Sequence, residues 1–495
     1  MGSLNFQLPS NAPPESLADL DRGSVTGAYD GMPTPTRVER HGTLLSLQRD
    51  TNESGSALIP WEVPGAGRTL CPTATLIPRP EPYRLSLELA RGRLNLVRSQ
   101  AADWRMVGLQ IPPAVDQQIR EASSVFGQAA TASAGDSVDA LALDALSLAG
   151  RAANQLVRVY ISQMLQARHQ RQAKLDTELA IRINGVPSPA AAPATAAACN
   201  AAIVPLTWRI TEPSESEYRW DIADAALDWA TRSRLQVCAG PLVDPSGHGL
   251  PNWLSVWDGD LPSLSSFMCD YVETVVGRYH RRIRRWQLIS AANCATVLKL
   301  AEDDWLWLTS RLAEAAWQVD PDLELTIGIA QPWGDYLSRE GRTYSPVVYA
   351  DMLIRSGLRF AALDLEWVMG VSPRGSYCRD LLDASRLLDL YALLGVPLKV
   401  TLAYPSAATP DALADPTQRV AAGHWVGGIN EEIQADWTAD FAALALCKPF
   451  VRAVTWAHLT DAEQHQFPNS GLLSAAGAPK AALTEFQHLR HEHLN

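Results

Sequence analysis

The sequence predicts an α/β protein in which residues 176–495 form a (β/α)₈ TIM barrel. Strand-like and helix-like segments alternate over this range, which is typical of repeated βα units and a parallel sheet. About 320 residues accommodate eight such units with long loops. An open, doubly wound sheet is expected to carry a glycine-rich phosphate loop, and the sequence has none. A closed barrel is therefore favoured.

Eight segments share the short apolar runs, bounded by turn residues, that indicate buried strands. In chain order they are ELAIRIN, AAIVPLTW, LQVCAGPLV, IRRWQLIS, LELTIGIA, FAALDLEWV, PLKVTLAY and VRAVTWAH. A helical stretch follows each of them, so the chain supplies the eight βα units that a barrel needs.

The region before the barrel divides into three parts by composition and period. Residues 1–40 are rich in Pro, Ser, Gly and Asp without a sustained period, which predicts a loosely ordered lead-in. Residues 41–82 contain short alternating runs, which predict a small β-rich unit. Residues 83–175 carry apolar side chains at three- and four-residue spacing, so we expect a helical region arranged as a hairpin.

Bulk composition excludes several classes of partner. Hydrophobic residues make up 47% and charged residues 19%, a globular balance. The net charge is −12 and the basic residues are scattered, so nucleic acid is not expected as a partner. No apolar run reaches the roughly 18–20 residues that span a bilayer, so no membrane association is expected. The pattern predicts no particular oligomeric state.

The cysteines and the N-terminus predict a cytoplasmic protein. Seven cysteines are odd in number and widely spaced, which is typical of free thiols in a reducing compartment. The first residues are polar and contain proline, without the basic start and apolar run of a secretory signal.

Residues 202–254 carry a specific resemblance to a known family. The run IVPLTWRITEPSESEYRWDIADAALDWATRSRL is followed by a second strand and by LPNWL. The matching positions are Trp208, Glu212, Pro213, Tyr218, Trp220, Ala223, Asp224, Trp229 and Ala230. They resemble the second and third βα units of glycoside hydrolase family 10, the endo-1,4-beta-xylanases. The later strands continue the resemblance to the C-terminus.

The resemblance implies a retaining glycosidase barrel, yet both of the family's catalytic glutamates are replaced. The fourth-strand motif W-D-x-x-N-E-A corresponds to residues 286–292, which places Ala291 where the acid/base glutamate is expected. The seventh-strand motif T-E corresponds to Thr401 and Leu402, so leucine stands at the nucleophile position. Retaining hydrolysis needs two carboxyl groups, and this chain is therefore predicted to be a divergent barrel.

Several aromatic and charged residues near strand ends are candidate ligand-binding residues. Trp456 corresponds to the family tryptophan that stacks on sugar. The other candidates at the predicted mouth are Trp208, Arg209, Trp333, Glu366 and Trp367. Indole faces suit sugar rings, although the same spacing is also typical of core packing.

Three carboxylates are candidates if the protein is an active enzyme. Asp364 and Glu366 share one face of the sixth strand by its two-residue period, and Asp335 lies in the loop QPWGDYLS after the fifth strand. In a pair of carboxyl groups that act as acid and base, the two pKa values differ from each other. The alternative is that Asp364 and Glu366 neutralise Arg209 in a buried ion pair.

No metal or cofactor is predicted. Asp244 and His248 lie in a Gly/Pro-rich turn without a second histidine at ligand spacing. No G-x-S-x-G elbow is present either.

Three functions remain open from the sequence. The preferred one is a degenerate barrel, a pseudoenzyme that binds carbohydrate or another small polar ligand without hydrolysing it. The second is an active glycosidase acting on O-glycosyl bonds with relocated carboxylates. The third is a structural scaffold whose N-terminal helices form the interface with an assembly partner.

Overall fold

A computed structural model describes residues 2–10, 12–27, 30–133, 136–246 and 249–494. Within these ranges the strands β1–β18, in chain order, are Gly2–Gln7, Ser24–Thr26, Pro33–Thr34, Arg37–His41, Leu44–Arg49, Gly55–Val63, Gly67–Leu76, Tyr83–Arg84, Glu178–Arg182, Ala201–Val204, Gln236–Ala239, Arg285–Ile289, Glu324–Ile329, Ala362–Val368, Val371–Ser372, Leu398–Ala403, Arg419–Val420 and Val451–Trp456. The α-helices α1–α13 are Pro14–Leu17, Leu85–Met106, Pro113–Thr131, Asp136–Arg171, Ala192–Ala198, Trp208–Thr211, Asp221–Arg232, Leu261–Tyr279, Glu302–Val319, Pro346–Arg355, Leu381–Ala392, Glu431–Cys447 and Ala481–His493.

Eight parallel strands close into a barrel in the order β10, β11, β12, β13, β14, β16, β18 and β9. Each lies inside one of the eight predicted segments, and helices lie between successive strands, so the predicted (β/α)₈ barrel is confirmed. The short strands β15 and β17 pair antiparallel in loops that follow β14 and β16.

The strand β14 illustrates how the barrel strands are buried and which way their side chains point. All seven of its residues are buried, as expected for a parallel strand covered on both faces. By the two-residue period, Asp364 and Glu366 point to the barrel interior while Leu363, Leu365 and Trp367 point to the surrounding helices. The sequence of β14 therefore positions two carboxylates inside the barrel.

The N-terminal region forms two four-stranded sheets, which corrects the expectation of a loosely ordered lead-in over 1–40. One sheet has the order β4, β5, β1, β8 and the other β3, β2, β6, β7. The strand β1 pairs antiparallel with β5 over its whole length. Leu4 and Phe6 alternate with polar residues and are 2% and 0% exposed, so this alternation drives the pairing.

The helical region contains three long helices, α2, α3 and α4, rather than the two of a hairpin. The helix α3 ends where Ala132 takes an extended conformation, and α4 follows. Apolar side chains of α2 and α4, including Val97 and Leu156, share one hydrophobic core with the barrel and its helices. The three helices are therefore packed on the barrel.

The N-terminal sheets and the barrel loops meet along a tight seam. Gly67 has a φ of 87°, and a Cβ at this position would lie 2.4 Å from the carbonyl oxygen of His424. Across the same seam, His424 Nε2 lies 3.1 Å from Glu62 Oε2. Among the described residues, no helix is both long and apolar enough to cross a membrane.

Candidate functional site

The centre of the barrel mouth holds a buried ion cluster of two carboxylates and one guanidinium. Glu366 Oε2 lies 3.2 Å from Arg374 Nη2, and Asp244 Oδ1 lies 3.2 Å from Arg374 Nη1. The side chain of Arg374 is 6% exposed. Burial on its own lowers the pKa of Arg374, but Asp244 and Glu366 raise it well above its ordinary value. The guanidinium is therefore a permanent cation between two anions.

Asp364 lies deeper in the barrel, in a hydrogen-bonded network of its own. Thr401 Oγ1 donates to its Oδ2 at 2.8 Å, and Gln287 Nε2 donates to the same oxygen at 3.1 Å. Arg182 Nη2 in turn donates to Gln287 Oε1 at 2.9 Å. Burial raises the pKa of Asp364, and the hydrogen bond from Thr401 opposes that rise. Polar partners thus hold this carboxyl group away from solvent.

The two positions that the resemblance aligns with the family glutamates are Ala291 and Leu402, and both are buried. Ala291 follows β12 with a left-handed φ of 54° and is 2% exposed. The preceding Ser290 donates its hydroxyl to Glu366. Leu402 is fully buried, and because Thr401 faces Asp364 inside the barrel, Leu402 points outward to the helices.

An apolar cluster lies at the same end of the barrel, where β14, β16 and β18 finish. Phe467, from the loop after β18, is 2% exposed and packs in a cluster with Val368, Val371, Ala403 and Ala457. These side chains cover the barrel interior, so the polar groups below them have no open path to solvent through this cluster.

The tryptophans predicted to stack on sugar lie in the hydrophobic core, which corrects that prediction. Trp456 is fully buried and its Nε1 donates to the carbonyl oxygen of Ser470 at 2.8 Å. Its ring packs edge-to-face with Trp437 and with Phe486, at centroid distances of 6.3 and 5.7 Å. Neighbouring helices thus occupy the space that a sugar ring would need.

The other three predicted tryptophans are buried as well. Trp208 is fully buried and stacks on Tyr271 at a centroid distance of 4.6 Å. Trp367 is fully buried with its ring edge-to-face against Phe441, and Trp333, 9% exposed, lies 5.8 Å from the ring of Trp367. Their indoles contribute packing rather than an open aromatic surface.

The predicted ion pair of Asp364 and Glu366 with Arg209 is not formed, because Glu366 pairs with a different arginine and Asp364 is held by Thr401 and Gln287. Arg209, at the start of α6, hydrogen-bonds to Asn252 instead of Glu366. Arg374 takes the expected place because the loop after β14 folds back over the strand from which it came. Of the pair considered as metal ligands, Asp244 joins this cluster and His248 lies outside the described residues.

A second polar site lies at the seam between the N-terminal sheets and the loops after β13 and β14. It is a cavity of about 140 Å³. Its lining includes Arg22, Ser24, Gln331, Asp335, Tyr336, Arg339, Glu340, Ser372, Gly375 and Tyr377. The cavity therefore joins residues of the N-terminal region to the loop QPWGDYLS.

Asp335 is anchored on one wall of this cavity. It forms an ion pair with Arg379 and accepts a hydrogen bond from the backbone amide of Tyr377 at 2.8 Å. Arg22 Nη2 donates to Ser372 Oγ at 3.2 Å, and its guanidinium lies over the Tyr377 ring at 5.9 Å. These polar groups can hydrogen-bond a small hydroxylated molecule.

Sequence reasoning missed Arg374, Arg22 and Tyr377. Arg374 stands in the loop VSPRGSY, directly after the strand that carries both interior carboxylates, and that position was an available signal. Arg22 had no such signal, because Ser372, to which it donates in the cavity, lies 350 positions away in the chain.

Comparison with known proteins finds the family that the sequence motifs of residues 202–254 resemble. Residues 196–295 match the sequence profile of Glycosyl hydrolase family 10. Endo-1,4-beta-xylanase B of Humicola insolens is 28% identical over 119 residues, which cover 24% of this chain and 32% of that protein. Endo-1,4-beta-xylanase 2 of Aureobasidium pullulans is 31% identical over 87 residues, 18% of this chain and 24% of that protein. The likeness thus spans a third or less of these relatives.

A solved structure is similar over a longer stretch. Native xylanase 10B from Thermotoga maritima is 16% identical, with a TM-score of 0.46, and the likeness covers 67% of this chain and 97% of that one. The profile match lies on the segment from α5 to the end of β12, within the closed barrel. The chain therefore carries a glycosyl hydrolase family 10-like (β/α)₈ barrel.

Proposed function

We propose that this chain is a pseudoenzyme, a family 10-like barrel that binds a small carbohydrate without hydrolysing it. The observation that carries the proposal is the position of Arg374, whose guanidinium contacts Glu366 and Asp244 at the centre of the mouth. A carboxylate engaged in this way is not available to protonate a leaving group or to attack a sugar. The residues Ala291 and Leu402 supply no substitute.

The alternative of an active glycosidase with relocated carboxylates is disfavoured by burial. Asp364 and Glu366 are 3% and 6% exposed, and a general acid must lie within hydrogen-bond reach of its substrate. Asp335 is closer to solvent, but Arg379 and the Tyr377 amide already engage both of its oxygens. Retaining hydrolysis requires two carboxyl groups about 5–5.5 Å apart across one pocket.

The cavity at the seam is the site we assign to the carbohydrate. Its mixture of guanidinium, amide, hydroxyl and phenol groups can hydrogen-bond the hydroxyls of a sugar. Gln331 and Arg22 already place side-chain donors in the wall of the cavity. Because the relatives named above are endo-1,4-beta-xylanases, xylobiose is the first probe to use.

The scaffold alternative has less support, because the apolar faces of the N-terminal helices pack against other parts of the same chain. The helix α4 packs on α12, where Arg158 and Asp440 form a bidentate pair at 2.7 and 3.1 Å. The cytoplasm remains our proposed location, and it is supported by the seven cysteines, which are all free thiols.

The test combines hydrolysis with binding. We expect no release of reducing sugar from xylan or from an aryl xyloside, and saturable heat on titration with xylobiose. Exchanging Arg22→Ala removes a charged donor, worth about 1.5–3 kcal/mol, so binding is expected to weaken tenfold or more. The matched control Arg284→Ala changes an exposed arginine before β12, at the opposite end of the barrel from the cavity, and is expected to leave binding unchanged.

Two results would overturn the proposal. Hydrolysis by the wild-type protein that disappears in Glu366→Gln shows an active glycosidase. Absence of any heat with xylobiose and with longer xylo-oligosaccharides, together with a mass above the monomer in solution, supports the scaffold instead.

A further inference from the structure

A compact group of histidine and aspartate side chains lies in the loop after β18, apart from both sites described above. His458, Asp461 and His465 each offer one ligand atom, and these atoms lie within 4.8 Å of one another. Their side chains are 6%, 5% and 0% exposed. The sequence analysis predicted no metal, because its one candidate pair contained His248 and these three residues were not considered together.

The distances fit the ligands of one small divalent cation. His458 Nε2 lies 3.2 Å from Asp461 Oδ1, and His465 Nε2 lies 3.8 Å from the same oxygen. A tetrahedral zinc ion with bonds of about 2.0–2.1 Å separates neighbouring ligand atoms by about 3.4 Å. Two imidazole nitrogens and one carboxylate oxygen are also a ligand set that zinc accepts in proteins.

The contacts of His465 direct its Nε2 at carboxylate oxygens. Its Nδ1 lies 2.8 Å from the carbonyl oxygen of Glu463, which can only accept, so Nδ1 carries the proton. Its Nε2 then faces two carboxylates, Asp411 Oδ2 at 2.9 Å and Asp461 Oδ1 at 3.8 Å. This nitrogen is therefore directed at oxygen atoms of the type that bind a metal ion together with imidazole.

His458 adds a second imidazole nitrogen at the same point. Its Nε2 is directed at the same oxygen of Asp461 as that of His465. Two imidazole nitrogens and the carboxylate oxygen that they share supply three potential ligands for a metal ion. The Nδ1–H to carbonyl contact of His465 is the arrangement that commonly orients a metal-bound histidine.

The surroundings hold the three side chains in place. Asp461 Oδ2 accepts from Lys480 Nζ at 2.5 Å, and its Oδ1 accepts from the backbone amide of Gly471 at 2.6 Å. A Cβ at Gly471 would lie 2.6 Å from that oxygen, so the close approach requires glycine. The lysine keeps this carboxylate ionised and leaves Oδ1 directed at the two histidines.

We propose that His458, Asp461 and His465 bind one zinc-type divalent cation that fixes the loop after β18 over the barrel mouth. In the same loop Gln466 Nε2 donates to Ser246 Oγ at 3.1 Å, next to Asp244 of the central ion cluster, and Phe467 belongs to the apolar cover of the mouth. The cation thus stabilises the closed form of the mouth and takes no part in sugar binding at the seam.

The test uses the full chain after dialysis against a chelator. Titration with Co²⁺ is expected to give the visible bands of a tetrahedral nitrogen and oxygen site at one equivalent, and Zn²⁺ is expected to displace them and raise the thermal midpoint. His465→Ala is expected to abolish the bands. His169→Ala is the matched control, because His169 Nε2 and His493 Nδ1 form another close histidine pair, 3.0 Å apart.

Each remaining outcome decides against the site. A wild-type protein without Co²⁺ bands and without a Zn²⁺-dependent rise in thermal midpoint binds no metal at this cluster. Bands that persist in His465→Ala and vanish in His169→Ala place the metal at the other pair. If His465→Ala does not fold, His458→Gln replaces it, and retention of the bands in that variant also overturns the proposal.

Discussion

The centre of the barrel mouth and the cavity at the seam differ in how their polar groups are satisfied. At the centre, the guanidinium of Arg374 lies between Glu366 and Asp244, and all three side chains are buried. At the seam, Arg22 and Gln331 line a cavity of about 140 Å³. The central groups pair with one another and are buried, whereas the seam groups, which also have protein partners, line a cavity.

This difference shows how a barrel can keep its architecture while its mouth changes role. Charges that neutralise one another stabilise a closed structure, provided that every partner is present. Polar groups beside an open cavity contribute less to stability and remain free to bind. Substitutions at the two places are therefore expected to separate effects on folding from effects on binding.

The largest effect is expected from Arg374→Met, which keeps most of the side-chain volume but removes the charge. Glu366 and Asp244 are then buried without a cation, and breaking a buried ion pair in this way costs about 3–5 kcal/mol. Urea denaturation measures this cost as the decrease in the free energy of unfolding relative to the wild-type protein. The exposed pair of Arg282 and Asp228 supplies the control, since Arg282→Met is expected to cost less than about 1 kcal/mol. A loss at Arg374 as small as the control's would show that water reaches the centre.

The central cluster also shows how far the sequence could predict the site. The two-residue period of β14 was enough to place Asp364 and Glu366 together on the inner face, because the period is a local property of a strand. The period of the strand could not predict which residue supplies the cation. Arg374 reaches Glu366 only because its loop folds back over the mouth, and no periodicity encodes that path.

The tryptophans also show what the sequence could not predict, in this case which side chains are covered by helix packing. Trp456 was correctly placed on the last barrel strand, but its burial depends on Trp437 of α12 and Phe486 of α13. The resemblance to xylanases implied a sugar-facing ring, while long-range helix packing decides which face stays open. Strand positions were therefore predictable, and side-chain exposure at the mouth was not.

A smaller effect on stability and a larger one on binding are expected from Asp335→Asn. The change leaves Arg379, whose side chain is 4% exposed, without its carboxylate and costs about 2 kcal/mol, the value of a hydrogen bond to a charged group. Xylobiose binding is expected to weaken because the wall of the cavity loses its anchor. Denaturation and calorimetric titration measure the two effects.

Asp228→Asn is the control for this change, because Asp228 pairs with Arg282 at an exposed position on α7 and does not line the cavity. It is expected to alter stability by no more than about 0.5 kcal/mol. Unchanged xylobiose affinity in Asp335→Asn would show that xylobiose does not bind in the seam cavity. The seam and the centre of the mouth would then not differ in their ability to bind a ligand.

The smallest effect is expected from His424→Gln, and it should depend on pH. The hydrogen bond with Glu62 raises the pKa of His424 above its ordinary value, so the folded protein holds this proton more tightly than the unfolded chain does. The resulting stabilisation is fully present below the unfolded pKa of about 6.5 and is lost as the pH rises through the folded pKa. Both side chains are about a quarter exposed, which limits the effect to less than about 1 kcal/mol. Urea denaturation should show a less stable variant near pH 5.5 and equal stability near pH 8.5, since the wild-type protein then loses the charged hydrogen bond that the variant lacks at every pH. A difference that grows with pH would mean that neutral His424 makes the stabilising contact, so the seam would be held by packing around Gly67 rather than by charge.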